Sequence, residues 1–329
     1  MGLVAEGSLR IVPTSLPRSA AVIRNSGGAP ATRVAKFHSL WVWWHLLSLD
    51  APTVAVVWCW FFGAVFGLHF FWPVFPVMAL GTWCVYVADR LLDGWRSPDM
   101  ATLRDRHWFY LRHRRLFLIA WAAAAVPLAY LIFFRMQAAV RTDDIVLCVI
   151  GVAYFLLIHG SSTHSNGARR FPKELAVGFL FAIATAVPAW ARLHTDRGLL
   201  IAGVLTFGTA CWLNCVAIQT WEDAECSNEV VHAILAGGDS RSDRTAACDM
   251  TEFLGAHLTA FAAIVALLGA GVGIAVAGSR TWPLFAAVAV SAVLFLALVR
   301  NSRRFSALAL RIFADAALLT PLLFLFRVR

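Results

Sequence analysis

Nine stretches of this chain run apolar for roughly the length that crosses a bilayer, with short polar segments between them. They cover residues 51–68, 70–92, 116–134, 145–159, 175–191, 199–221, 255–278, 282–299 and 307–326. A spanning helix needs roughly 20 predominantly apolar residues. The fourth stretch is shorter and can begin before Ile145. None shows the period-two alternation of a barrel strand, and a lone strand cannot satisfy its backbone in lipid, so each is expected to be a helix. Pro73, Pro76, Pro188 and Pro321 fall in or beside these runs, where neighbouring helices can re-satisfy a freed carbonyl. The pattern predicts an all-α integral membrane protein of nine transmembrane helices.

Composition agrees. Of 329 residues, 60% are apolar and 14% charged, against about half and a quarter in soluble domains. That excess excludes a water-soluble enzyme, a disordered chain and a fibre. The formal net charge of +9 raises the question of nucleic acid, but the placement of the basic residues answers it. Nineteen of the 28 fall in the N-terminal segment and in the loops after spans two, four, six and eight. Seven fall on the opposite side, and only Arg90 and Arg311 lie within spans. This is the inside-positive bias of a membrane protein. It places the N-terminus in the cytoplasm, of a bacterial inner membrane on this reading, with no nucleic-acid partner. Residues 1–36 read as a disordered cytoplasmic tail, with an organellar transit peptide as the alternative. Residues 37–329 then form the membrane domain. The seven cysteines show neither a metal-ligand spacing nor a disulfide framework.

Acidic groups are costly in a membrane, so their positions carry information. The first cluster is the run from Val85 to Arg96, VYVADRLLDGWR, at the cytoplasmic end of span two. Asp89 and Asp93 are four residues apart and stack on one helical face. The second is Asn214 to Glu225, NCVAIQTWEDAE, at the same end of span six. On a straight helix Asn214, Glu222 and Glu225 fall within about 80° of one another, with Asp223 pointing elsewhere. Carboxylates facing one another across a cavity are hard oxygen ligands suited to Mg²⁺, which shares phosphate oxygens with a substrate and stabilises diphosphate as a leaving group. Arg96, Arg169, Arg170 and Lys173 lie on the side where they could neutralise the remaining charge. Each cluster also has a plainer reading, as a solvated helix end.

With those residues in view, the chain resembles the UbiA superfamily of intramembrane prenyltransferases. The family has nine helices and two acidic motifs at the cytoplasmic ends of helices two and six. The first motif, N-x-x-x-D-x-x-x-D, aligns with Val85, Asp89 and Asp93: both aspartates match, and Val85 stands in place of Asn. The second, with acids at offsets 0, 7 and 11, aligns with Asn214, Trp221 and Glu225, with Glu222 and Asp223 beside them. The stretch from Arg170 to Gly178, RFPKELAVG, is similar to the opening of the family's fifth helix. The resemblance covers about 38 to 326 and implies a UbiA-like helical bundle. It implies Mg²⁺-dependent transfer of a polyprenyl group from its diphosphate to an aromatic or lipid-like acceptor. Asp89, Asp93, Glu222 and Glu225 would be catalytic and, with Asp223, would hold Mg²⁺. Asn214, Asp223, Arg96, Arg170 and Lys173 would bind the diphosphate. Two alternatives stay open: a non-catalytic relative that binds a lipid or a membrane partner, and a transporter using Arg311 and Asp315.

Arg311 and Asp315 are four residues apart in span nine, the spacing of an intrahelical ion pair. Asp50, before Ala51 and Pro52, reads as a helix-start cap with Ser48 nearby. His38, His45 and His69 read as interfacial or packed histidines. Trp41, Trp43, Trp44, Trp58 and Trp60 read as an aromatic belt at a span end.

Overall fold

Residues 40–96, 105–160, 173–235 and 249–327 are described by a computed structural model of the protein. The expected tail, 1–36, lies outside the described residues. Leu40–Arg329 clusters as one compact unit. Its described elements are all helical. In order they are α1 (Leu40–Leu46), α2 (Asp50–Val65), α3 (Val74–Arg96), α4 (Asp105–Arg112), α5 (Arg114–Tyr130), α6 (Ala138–Gly160), α7 (Lys173–Trp190), α8 (Arg197–Leu235), α9 (Asp249–Ala256), α10 (Leu258–Ala275), α11 (Trp282–Arg300) and α12 (Ala307–Ala317). The expected spans 51–68, 70–92, 145–159, 175–191, 199–221 and 282–299 each centre on one helix, whereas 116–134, 255–278 and 307–326 are each divided between two helical segments.

Seven helical segments are long and apolar enough to cross a membrane, and an eighth is added if α1 and α2, bent by 86° at residues 47–49, count as one span. The protein is therefore read as a membrane protein. α6 contains the fourth expected span and begins earlier, at Ala138. Its first two turns carry Arg141, Asp143 and Asp144, and it is not among the seven.

The helices are apolar on all sides. Leu267, Ile274, Ile119 and Phe134 point outward, as a lipid-facing surface requires. Inward, α2, α7, α8, α10, α11 and α12 share the main core. At its centre Trp58 is fully buried, its ring stacked on Phe207 with centroids 3.7 Å apart. Its indole Nε1 donates to the Leu318 carbonyl at 2.7 Å. That carbonyl lies where α12 gives way to the 3₁₀ segment Thr320–Arg327, so a side chain satisfies a group that helical hydrogen bonding has released. Thr320, held by Ser291 at 2.7 Å and donating to the Ala287 carbonyl, stabilises the same break. The third expected span is broken too: Pro127 sits inside α5, which passes into a π-helical turn, Leu131–Arg135.

α7 and α8 approach closely because Gly178 faces α8. A Cβ there would lie 2.6 Å from the Trp212 backbone nitrogen. α8 stays helical for 39 residues, about 58 Å at 1.5 Å per residue, nearly twice the hydrocarbon thickness. Only Arg197–Glu225 is apolar enough to span. At the opposite extreme α1 is seven residues long and bent away from α2. It exposes Trp41, Trp43 and Trp44 and buries His45 and Leu46. This is the arrangement expected of tryptophans at a membrane interface.

Candidate functional site

One set of polar groups lies where the end of α3 and the starts of α2 and α7 meet α8 and α12. Each helix delivers its charge from an otherwise apolar surface. Asp89 lies near the end of α3, and Lys173, the first residue of α7, donates to it at 3.4 Å. The two side chains are about one-third exposed, so the pair contributes little to stability but brings α3 and α7 together at the predicted motif. Asp89, Lys173, Glu174 and Asp315 all lie within electrostatic reach of Cys215 on α8, the residue after Asn214. The first aspartate of one predicted motif and the first residue of the other are therefore at one level of the bundle. Glu174 also accepts from Thr251 on α9 at 2.8 Å.

On α8, Glu222 is seven residues beyond Cys215 and on nearly the same face. Its carboxylate pairs with Arg311 of α12, with both side chains more than four-fifths buried. Two turns back, Asn214 Nδ2 donates to Asp315 of α12 at 3.0 Å. The expected pairing of Arg311 with Asp315 is therefore corrected. α12 runs antiparallel to α8, and the two residues reach separate partners on that helix instead of each other. Because α8 does not unwind, Asp223 stays on the helix and accepts both Gln219 Nε2 contacts at 2.9 Å. Glu225 lies exposed nearly one turn past Glu222. Asp93 and Arg96 are in the last turn of α3, but their side chains lie outside the described residues, as does Arg170 entirely.

Sequence reasoning missed a second group. His45, at the end of α1, is 2% exposed and shares a 2.6 Å hydrogen bond through Nδ1 with Asp50 Oδ2. Asp315 Oδ2 lies 4.0 Å from the same nitrogen. Asp50 Oδ1 accepts from the Ala51 amide at 2.9 Å, but Asp50 is the first residue of α2 and Leu49 is its N-cap, with no side-chain cap bond, so the expected cap role is corrected. Arg90, 4% exposed, turns away from its neighbour Asp89 and points NH1 at the His45 carbonyl at 3.4 Å. Its guanidinium carbon lies 5.6 Å from the Tyr110 ring. Burial raises the Tyr110 phenol above its ordinary range, with Arg90 and the 2.7 Å hydrogen bond from Ser48 opposing the shift. The signal for this group was present in part, since Arg90 and Asp315 are charges inside spans. Nothing in the spacing linked them to His45 and Asp50.

Beside Asn214 and Asp315 lies a small cavity of about 20 Å³, also lined by Tyr86, Gly178, Cys211 and Cys215 among others. That is room for about one water or one ion. No protein-family model, curated protein or solved structure matches the chain.

Proposed function

We propose that the protein is a UbiA-like, nine-span membrane prenyltransferase. In it a prenyl diphosphate would bind through Mg²⁺ at the bundle end that holds Asp89, and the prenyl chain would pass to a hydrophobic acceptor. The observation that carries this reading is the contact of Lys173, at the start of α7, with Asp89, near the end of α3, both within electrostatic reach of Cys215 on α8. Nine spans follow if α6 and the bent α1–α2 pair each cross once beside the other seven. The inside-positive distribution puts the site and the N-terminus on the cytoplasmic side, in a bacterial inner membrane on this reading. Asp89 and Asp93 would hold one Mg²⁺, and Glu222, Asp223 and Glu225 would supply the other. Arg96, Arg170 and Lys173 would offset the diphosphate charge. Bound Mg²⁺ would stabilise the departing diphosphate, while the surrounding helices exclude water from the allylic carbon.

A second reading, binding without catalysis, draws on two observations. Glu222 is already paired with Arg311, and the cavity of about 20 Å³ is far smaller than a diphosphate needs.

Purified protein incubated with prenyl diphosphates of several chain lengths, a panel of acceptors and Mg²⁺ decides between them through diphosphate release. Transfer predicts release that stops when Mg²⁺ is chelated and falls at least about a hundredfold in Asp89→Asn. Release that persists unchanged in Asp89→Asn refutes the site. Saturable binding of a prenyl diphosphate with no release from any donor supports the second reading.

A further inference from the structure

His45, Asp50 and Asp315 come from three helices, α1, α2 and α12. One ligand atom of each lies within 4.8 Å of the others. Ligands about 2.0 Å from a tetrahedral ion stand about 3.3 Å apart. The present separations, 2.6 Å from His45 Nδ1 to Asp50 Oδ2 and 4.0 Å to Asp315 Oδ2, straddle that value. Small rotations of side chains would seat an ion.

A cluster of this kind can also be a closed hydrogen-bonded group. An independent observation argues for a ligand. Asn214 is 8% exposed, and its Nδ2 is engaged by Asp315. Its Oδ1 is buried and has no hydrogen-bond partner. A buried amide oxygen left without a donor is costly. This one belongs to an amide group in contact with the Asp315 carboxylate, and both residues line the same ion-sized cavity. Donation from Nδ2 to a carboxylate fixes the amide orientation, which leaves Oδ1 as the atom awaiting a partner.

We propose that His45, Asp50 and Asp315, with Asn214 Oδ1 as a fourth donor, form a binding site for a divalent first-row transition-metal ion. Its three charged or imidazole ligands are not among those proposed for Mg²⁺ and diphosphate, and the two sites share only Asn214. An imidazole nitrogen with two carboxylates and an amide oxygen is a donor set for Zn²⁺ or Mn²⁺ rather than for Mg²⁺, which prefers oxygen ligands and retains its waters. The ion would take the place of the hydrogen now shared by His45 Nδ1 and Asp50 Oδ2, with the neutral imidazole carrying its hydrogen on Nε2 instead. Cys211 and Cys215 of α8 lie within electrostatic reach of Asp315, and two groups of α3 also face the cluster. Tyr86 lines the cavity, and Arg90 lies within electrostatic reach of Asp50 and Asp315. Arg90 opposes a cation electrostatically. It also fixes the backbone of His45 through the 3.4 Å contact to its carbonyl. By joining α1, α2, α8 and α12 the ion would tie the bent N-terminal helix to the end of the chain.

The test uses the untagged full-length chain in detergent. It is stripped with chelator and titrated with Zn²⁺, with Mg²⁺ and Ca²⁺ in parallel, and bound metal is read by mass spectrometry. The expected result is one equivalent of Zn²⁺ per chain, a raised thermal midpoint with Zn²⁺ but not with Mg²⁺, and visible ligand-field absorption when Co²⁺ is substituted. His45→Gln and Asp315→Asn should abolish stoichiometric uptake, and Asn214→Ala should weaken it about tenfold or more. Asp89→Asn should retain uptake, which separates this site from the diphosphate site. Should a variant fail to fold, the Co²⁺ spectrum and the Zn²⁺-dependent midpoint of the wild-type chain still decide the matter. No stoichiometric uptake by the wild-type chain overturns the proposal, as does uptake that survives in both His45→Gln and Asp315→Asn.

Discussion

Replacing Arg311 by methionine keeps the length of the side chain and removes its charge, leaving Glu222 without that guanidinium. The Arg311 and Glu222 side chains are 14% and 11% exposed, much nearer the buried limit than the surface one. Exposed pairs contribute about 0.2–1 kcal/mol, whereas breaking a buried pair by removing one partner costs about 3–5 kcal/mol. At this exposure Arg311→Met is expected to cost about 3 kcal/mol, or roughly a hundredfold in the unfolding equilibrium. Most of that cost is the loss of the guanidinium charge beside a mostly buried carboxylate, so Glu222→Gln added to Arg311→Met should recover much of it. The double-mutant cycle should give a coupling of about 1.5 kcal/mol or more. A parallel cycle between Arg311 and Asp315 should couple less, because these residues reach different partners on α8. The measurement is reversible unfolding in mixed micelles followed by tryptophan fluorescence, which the 14 tryptophans make sensitive. If the single variant costs under about 1 kcal/mol and the cycle gives under about 0.5 kcal/mol, the pair behaves as a solvated one and the reasoning fails.

Trp58→Ala should destabilise by about 3–5 kcal/mol, because it empties the centre of the core and strands the Leu318 carbonyl. Trp58→Phe should keep the packing and lose the hydrogen bond, and comparing the two unfolding midpoints separates these contributions. Gly178→Ala should force α7 off α8, since its Cβ would meet backbone at 2.6 Å, whereas Gly81→Ala meets nothing within 4 Å. The first should lower the thermal midpoint and the second should leave it unchanged or slightly raised; equal effects would refute the close approach.

Much of the architecture was legible because lipid imposes a simple rule on sequence. A spanning backbone must satisfy itself, so apolar length alone identifies helices. The apolar runs around Val74–Leu92, Arg197–Glu225 and Trp282–Arg300 are helices long and apolar enough to span in the structure. Charge position singled out residues that need partners for a similar reason, since Asp89, Glu222 and Asp315 are costly where they stand, and each has a partner in the structure. Which partners they have was not legible. A four-residue spacing suggested that Arg311 would take Asp315. The antiparallel packing of α8 on α12 offers Glu222 and Asn214 instead.

The same limit hid the histidine–aspartate cluster. His45 and Asp50 are five residues apart on two helices that meet at 86°, and Asp315 follows Asp50 by 265 positions. No periodicity relates them. The sequence by itself determined that this chain is a set of apolar helices with few charges within them, because hydrophobic length and the cost of buried charge are local properties. Only the tertiary structure decided which of those charges touch. A contact between side chains depends on which helix faces are brought together, and close approaches such as that of Gly178 to Trp212 set those faces.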